Sequence, residues 1–199
     1  DYPYLSSSAN HIFDISIGVS PSSNLSASTV TDISKKVNVY NQMAQVLNGY
    51  DTNGNIREFD SDGDFSSDGN KMRETIFLNF SRLLVKDEIK KGSFNLKLGV
   101  GHFTITDHSG SNGYFVNSPA GEYGILFASG SDSLLQQSAS AGATGITSGR
   151  RSCGLIFYQA GVCVLTGALF QTASTANPSG LIKESGSAGY VSSSYFDAG

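Results

Sequence analysis

A chain of 199 residues with a formal net charge of −4 and only 15% charged side chains can bury one good core or two small ones beneath a largely neutral, polar surface. Its basic residues are dispersed, with Lys35-Lys36, Lys90-Lys91 and Arg150-Arg151 as isolated pairs, so no basic patch is available to grip a phosphate backbone and direct nucleic-acid binding is not expected. No apolar run approaches the ~20 residues that a membrane helix needs, and no membrane role is expected either. The abrupt start at DYPYLSSS and stop at SSSYFDAG fit either a portion of a longer polypeptide or a processed chain.

The first element is HIFDISIGV, residues 11–19. Ile12, Asp14 and Ser16 alternate with Phe13, Ile15 and Ile17, which predicts a strand with one solvated side. Pro21 ends it, and the loop Ser20–Asn24 leads to the next element. Apolar residues at Val30, Ile33, Val37, Tyr40, Ala44 and Leu47 recur in steps of three and four and so share one stripe of an amphipathic helix near residues 29–48. Ser26 or Ser28 is placed to cap its start and Gly49 to end it. A stripe of three heptads is more often a core face than an oligomer seam.

After an acidic loop, RETIFLNFSRLLV and SFNLKLGV are joined by the polar KDEIKKG. That order predicts an antiparallel hairpin burying Ile76, Leu78 and Phe80 against Phe94, Leu96 and Leu98. HFTITD adds a third short strand through Phe103 and Ile105, and DHSGSNG a turn. GEYGILFAS gives a further strand, and CGLIFYQAGVCVLTGALF an aliphatic hairpin. A two-residue turn at Gln159-Ala160 sets Tyr158 opposite Gly161 and Cys163 opposite Ile156, well away from Cys153. Both cysteines are therefore expected as free, buried thiols rather than a disulfide. Residues 130–151 and 171–199 are rich in Ser, Ala and Gly; such segments bury too little apolar surface to offset their own ordering entropy and read as arms that order on a neighbour. The expected fold is α+β, mainly antiparallel β as a sheet or sandwich, with one principal domain over residues 1–170 and a C-terminal arm over 171–199.

Chemistry-bearing motifs are sparse. Asp60, Asp62, Asp64 and Asp68 occupy positions 1, 3, 5 and 9 of a calcium-loop pattern, and flexible oxygen-rich loops suit a large hard cation. The pattern breaks at Phe65, where the sharp turn requires Gly, and at Lys71, where a bidentate Glu would close the cage. These four carboxylates are weak metal candidates, and a solvated loop fixed by Asx-turns at Asp62-Gly63 and Asp68-Gly69 is the stronger reading. Asp51-x-Asn53-x-Asn55 is a second, poorer candidate. His11, His102 and His108 stand beside no nucleophile motif. Glu58 with Glu74 is an imaginable acid/base pair without a supporting pattern. No catalytic residue and no cofactor is expected.

The phrases KKVNVYNQMAQVLNGYDTNGNIREFD, KMRETIFLNFSRLLVKDEIKKGSFNLKLG and CGLIFYQAGVCVLTGALF resemble virion structural proteins of tailed bacteriophages, particularly the contractile-tailed phages (myoviruses) of marine bacteria and cyanobacteria. The resemblance spans roughly half of the chain, and its warrant is that of motif likeness. It implies a non-enzymatic component of the phage particle, in the tail, baseplate or neck, whose partners are copies of itself and other virion proteins. It supplies no catalytic residues. A host-surface or glycan-binding module of a fibre or spike is the alternative, although no concentrated Tyr/Asn/Asp loop marks a sugar site.

Overall fold

In the computed structural model, which describes residues 13–27, 31–65, 71–80, 88–98, 103–107, 114–130, 150–170, 172–173 and 182–183, period-two segments become strands and the period-3.6 stripe becomes the long helix. The strands are β1 (Phe13–Val19), β2 (Glu74–Phe80), β3 (Asn95–Leu98), β4 (Phe103–Asp107), β5 (Tyr114–Ser118), β6 (Gly121–Gly130), β7 (Arg150–Phe157), β8 (Val162–Thr166), β9 (Thr172–Ala173) and β10 (Ile182–Lys183). The helix α1 covers Thr31–Leu47, preceded by a 3-10 turn at Asn24–Ala27, and a second such turn follows β8 at Gly167–Phe170. The protein is α+β and mainly antiparallel β: eight strands form one sheet in the order β1-β2-β8-β7-β6-β4-β3, with β5 also on β6. The long β6 serves both by length, pairing β5 through Tyr123 and Gly124 and β4 through Leu126 to Gly130.

The sheet curls as a half-barrel, and side-chain alternation gives it two apolar faces. On one lie Phe77, Tyr123, Ile125, Phe127, Leu155, Phe157 and Val164, covered by Tyr40, Ala44 and Leu47 of α1 and by Phe59 and Met72. The helix therefore spends the C-terminal half of its predicted stripe on the core, joined by Val39 and Met43; Ile33 and Val37 are half-buried outside that cluster, and Val30 lies outside the described residues. Gly49, at φ 74°, ends it: the amides of Asn48 and Gly49 both donate to the Ala44 carbonyl, a left-handed cap that a glycine adopts without a Cβ penalty. Ser26 is not the cap, because its hydroxyl donates to the Pro21 and Ser23 carbonyls within the 3-10 turn; Ser28 lies outside the described residues.

The other face carries Leu78, Ile105, Leu126, Cys153, Ile156, Cys163 and Leu165, with Ile76, Phe80, Ile89, Phe94 and Leu96 packed partly buried against them. These last residues correct the predicted central hairpin. β2 pairs β1 and β8 rather than β3, and β3 pairs β4. Phe80 and Phe94 do meet, with ring centroids 5.9 Å apart, but across the curl of the sheet and not across a shared ladder. Both Phe77 and Leu78 are buried, as a central strand with both faces covered requires. Of the six residues expected to be buried in that hairpin, only Leu78 is; Ile76, Phe80, Phe94 and Leu96 are half-buried, and the Leu98 side chain lies outside the described residues.

The β7–β8 hairpin has the predicted register, with Ile156 opposite Cys163 and Phe157 opposite Val162. Both cysteines are free and buried; burial pushes the Cys153 thiol up to about 12 and raises Cys163 as well, so neither offers a thiolate at neutral pH. The first strand differs from expectation in its apolar face. Phe13, Ile15 and Ile17 are exposed, at 44%, 63% and 50%, as is Asp14. Within the predicted C-terminal arm, β9 and β10 form a short parallel pair; most of residues 171–199 and of the loop 130–151 lie outside the described residues.

Candidate functional site

The acidic loop is built by the chain between α1 and β2. Two isolated bridges shape it: Tyr50 with Ile56, and Asp60 with Lys71. The first closes a small turn in which the Asp51 carboxylate accepts from the amides of Asn53 and Asn55 and from the Asn55 side chain. Those donors, led by the Asn55 amide, hold the Asp51 carboxyl below its usual range. This explains the Asp51-x-Asn53-x-Asn55 spacing as an Asx-type turn.

The second bridge brings together three of the four sequence-predicted carboxylates. One oxygen each from Asp60, Asp62 and Asp64 lie within 4.8 Å of one another; Asp68 lies outside the described residues. Phe65 adopts φ 58°, so the left-handed turn that the pattern asks of Gly is made by an aromatic residue. Such a conformation costs of order 1–2 kcal/mol in a residue with a Cβ. It is held by the Phe65 ring, which packs 5.7 Å from Tyr123 and under the Arg57 guanidinium at 5.8 Å. The Tyr123 hydroxyl, within hydrogen-bond reach of the Gly63 carbonyl (2.9 Å) and Asn117 Oδ1 (2.7 Å), ties the same loop to β6.

Lys71 decides the electrostatics. Its ammonium donates to Asp60 at 2.7 Å, with Asp60 fully buried. The residue at the position where a closing Glu is required instead delivers a cation to the first carboxylate of the loop. A buried carboxylate needs such a partner, because unpaired burial of charge is strongly unfavourable. The Asp62 carboxyl is pushed up to about 7 by burial, then by its hydrogen bond with Asp60 and by that residue's charge. Lys71 thus offsets the charge of Asp60, while burial and the neighbouring Asp60 favour the protonated form of Asp62.

The pH dependence follows in sign. The folded chain keeps on Asp62 a proton that the unfolded chain releases near the ordinary Asp value of about 4. This stabilisation is full below that value and is lost as pH rises through about 7. Asp62→Asn is expected to flatten the fall in melting temperature between pH 5 and 8. At pH 8 it should stabilise by roughly 1–2 kcal/mol, read by thermal melts across pH. Millimolar Ca²⁺ should leave the wild-type melting temperature unchanged, since Lys71 already meets the charge requirement; a saturable, EDTA-reversible rise that vanished in Asp62→Ala would reverse that assignment.

Glu58 and Glu74 also come into one neighbourhood, at the end of β1. The hydroxyls of Ser20 and Ser22 donate to Glu58 and that of Ser23 to Glu74. Each carboxylate serves as an acceptor that fastens the turn after β1 to the acidic loop and to β2. Beside them the Tyr40 hydroxyl donates to the Met72 carbonyl at 2.9 Å and accepts from the Phe59 amide at 3.1 Å, and burial raises its pKa so that it stays neutral. The three histidines lie outside the described residues.

Sequence reasoning missed two features. One is Asp107, read as part of a turn: it ends β4, is buried, and accepts from the Gly92 and Phe94 amides and the Tyr158 hydroxyl. The other is the outer row of β1. Phe13, Ile15 and Ile17 stand opposite Phe80, Leu78 and Ile76 and extend the second apolar face to the end of the sheet, where among the described residues no further strand follows. Polar neighbours at Asp14 and Ser16 could have flagged a two-sided edge, but alternation alone does not say which side is wet. No helix among the described residues is long and apolar enough to cross a membrane. Comparison with protein-family models, with curated proteins and with solved structures finds no match to this chain.

Proposed function

We propose that this chain is a non-enzymatic structural component of a bacteriophage virion, in the tail, baseplate or neck, working through contacts with copies of itself and with other virion proteins. The observation that carries this reading is the exposed apolar row Phe13, Ile15 and Ile17 on a strand that is terminal in the sheet among the described residues. Soluble monomers usually blunt such strands with charge, proline or a bulge, because an open edge recruits another chain. The likeness of the helix, acidic-loop and hairpin phrases to virion structural proteins supports the setting. The carboxylates that could have suggested catalysis are engaged as acceptors of serine hydroxyls or of Lys71, which favours a scaffold role.

The test is made on purified phage particles and the isolated chain. Mass spectrometry should find the chain in the particle at integral stoichiometry. Protease should cut the isolated chain first within the Ser/Ala/Gly segments 130–151 and 171–199 and spare those sites in the particle. Deleting residues 171–199 should impair incorporation more than folding. Absence from the particle, or turnover of a host polysaccharide by the purified chain, would overturn the reading; saturable glycan binding would move it to a host-surface module.

A further inference from the structure

Resting on that reading of the chain as an assembly subunit, we propose that β1 is a self-complementary edge through which two copies join, strand to antiparallel strand, about a two-fold axis passing beside Ile15. Among the described residues, the two ends of the sheet differ in kind. At one end β3 is four residues long, and its outer positions include the exposed Asn95 and Lys97. A short strand with an exposed lysine is a protected edge. At the other end β1 is seven residues long, has no lysine, arginine or proline, and bears a continuous apolar row.

The exposed part of β1 runs Phe13-Asp14-Ile15-Ser16-Ile17, after which Gly18 and Val19 are buried. This five-residue stretch reads alike in both directions about Ile15: apolar, polar, apolar, polar, apolar. An antiparallel pair centred there sets Ile15 against Ile15 of the second copy, Phe13 against Ile17, and Asp14 against Ser16. The isologous contact required of a two-fold dimer is thereby met with one strand. No like charges face one another, since the single carboxylate stands opposite a hydroxyl. A strand shifted by one residue would set the apolar row on the opposite face from its partner's; a shift by two about Asp14 would set carboxylate against carboxylate, and one about Ser16 would set Phe13 against the buried Val19. Joining the copies also continues the second apolar face, because Phe13, Ile15 and Ile17 already stand opposite Phe80, Leu78 and Ile76.

Five paired residues span only about 17 Å, which is less than a standard interface of about 800 Å² per partner provides. The isolated chain should therefore dimerise weakly, in roughly the 10–100 μM range, and depend on the local concentration of a particle to stay paired. That affinity is accessible to analytical ultracentrifugation over a concentration series.

The register is tested by single cysteines, since Cys153 and Cys163 are both buried. Ile15→Cys should form a disulfide-linked dimer under mild oxidation, because its counterpart lies directly opposite. Ile17→Cys alone should not, as the two copies of that position would stand about 14 Å apart along the strands, beyond disulfide reach. Mixing Phe13→Cys with Ile17→Cys chains should restore linkage. Ile15→Lys should weaken dimerisation at least tenfold while leaving the circular dichroism spectrum and melting temperature near wild type. A wild-type chain that stays monomeric to millimolar concentration with unlinked Ile15→Cys overturns the proposal. So does a dimer indifferent to Ile15→Lys, self-linkage of Ile17→Cys as efficient as that of Ile15→Cys, or linkage of Ile15→Cys in particles only to a different protein. If the chain proves absent from particles while Ile15→Cys links as described, the virion assignment fails and the dimer stands.

Discussion

Replacing Phe59 with Ala is expected to destabilise the protein by about 3–5 kcal/mol, the range for emptying a buried aromatic site. For a chain of this size each kcal/mol lowers the melting temperature by about 2–4 °C, so a fall of about 10 °C should be visible in a thermal melt. Phe59 is fully buried although it belongs to no helix or strand. Its ring lies 5.4 Å from Tyr40 of α1, 5.5 Å from Phe77 of β2 and 6.5 Å from Phe157 of β7. Its amide donates to the Tyr40 hydroxyl, and its carbonyl accepts from the Met72 amide at 2.8 Å. One side chain thus joins the helix, the sheet and the segment that carries the acidic loop. Phe59→Leu keeps most of the volume and loses the edge-to-face contacts, so it should cost about 1 kcal/mol. Wild-type melting of Phe59→Ala would remove this residue from the core and detach the acidic loop from the sheet.

What the sequence made legible was local. The Tyr40, Ala44 and Leu47 part of the α1 stripe, the Gly49 stop and the β7–β8 register follow from spacings within one or two turns of chain, and the structure has them at the expected residues. Strand neighbours were not legible in the same way. Alternation in ETIFLNF and FNLKL fixes which residues share a face, and both segments do contribute to one apolar face. It does not fix which strand lies beside which: β2 draws its partners from residues 13–19 and 162–166, far away in sequence. The polar connection KDEIKKG, at seven residues, is already longer than the two to five residues of an ordinary hairpin loop. That length was the available sign that the two strands are not neighbours.

The acidic loop was legible in its ligand-like spacing and misleading in its two exceptions. Phe65 and Lys71 looked like plain failures of a calcium pattern. Phe65 nevertheless makes the left-handed turn, because Arg57 and Tyr123 hold its ring, and Lys71 returns to Asp60 as an internal counter-ion. Neither contact is visible in the loop sequence, since Tyr123 arrives from β6. The exposed row of β1 was hidden for a related reason: alternation predicts one buried face, and only the order of strands reveals that Phe13, Ile15 and Ile17 lie at the end of the sheet.

Asp107→Ala should have an effect comparable to that of Phe59→Ala, by a polar route. The Asp107 carboxylate accepts from the Gly92 amide at 2.6 Å, the Phe94 amide at 3.1 Å and the Tyr158 hydroxyl at 3.0 Å. Gly124 lies beside that hydroxyl, where a Cβ would stand 2.2 Å from it, so the β6 backbone leaves space for the clasp. Two of the donors belong to residues 88–94, whose Ile89 and Phe94 pack on the second apolar face. Truncating the carboxylate leaves three donors without their acceptor, each hydrogen bond to a charged group being worth about 1.5–3 kcal/mol. A loss of about 3–5 kcal/mol is expected after partial rehydration of the two amides. Tyr158→Phe alone should cost about 1–2 kcal/mol, and the double variant should cost less than the sum, because both single changes break the same bond. Hydrogen exchange separates this clasp from general destabilisation: the Gly92 and Phe94 amides should lose protection in Asp107→Ala well before those of β7 and β8. Unchanged protection at both amides, with a wild-type melting temperature, would show that the apolar contacts of Ile89 and Phe94 hold residues 88–94 in place without the carboxylate.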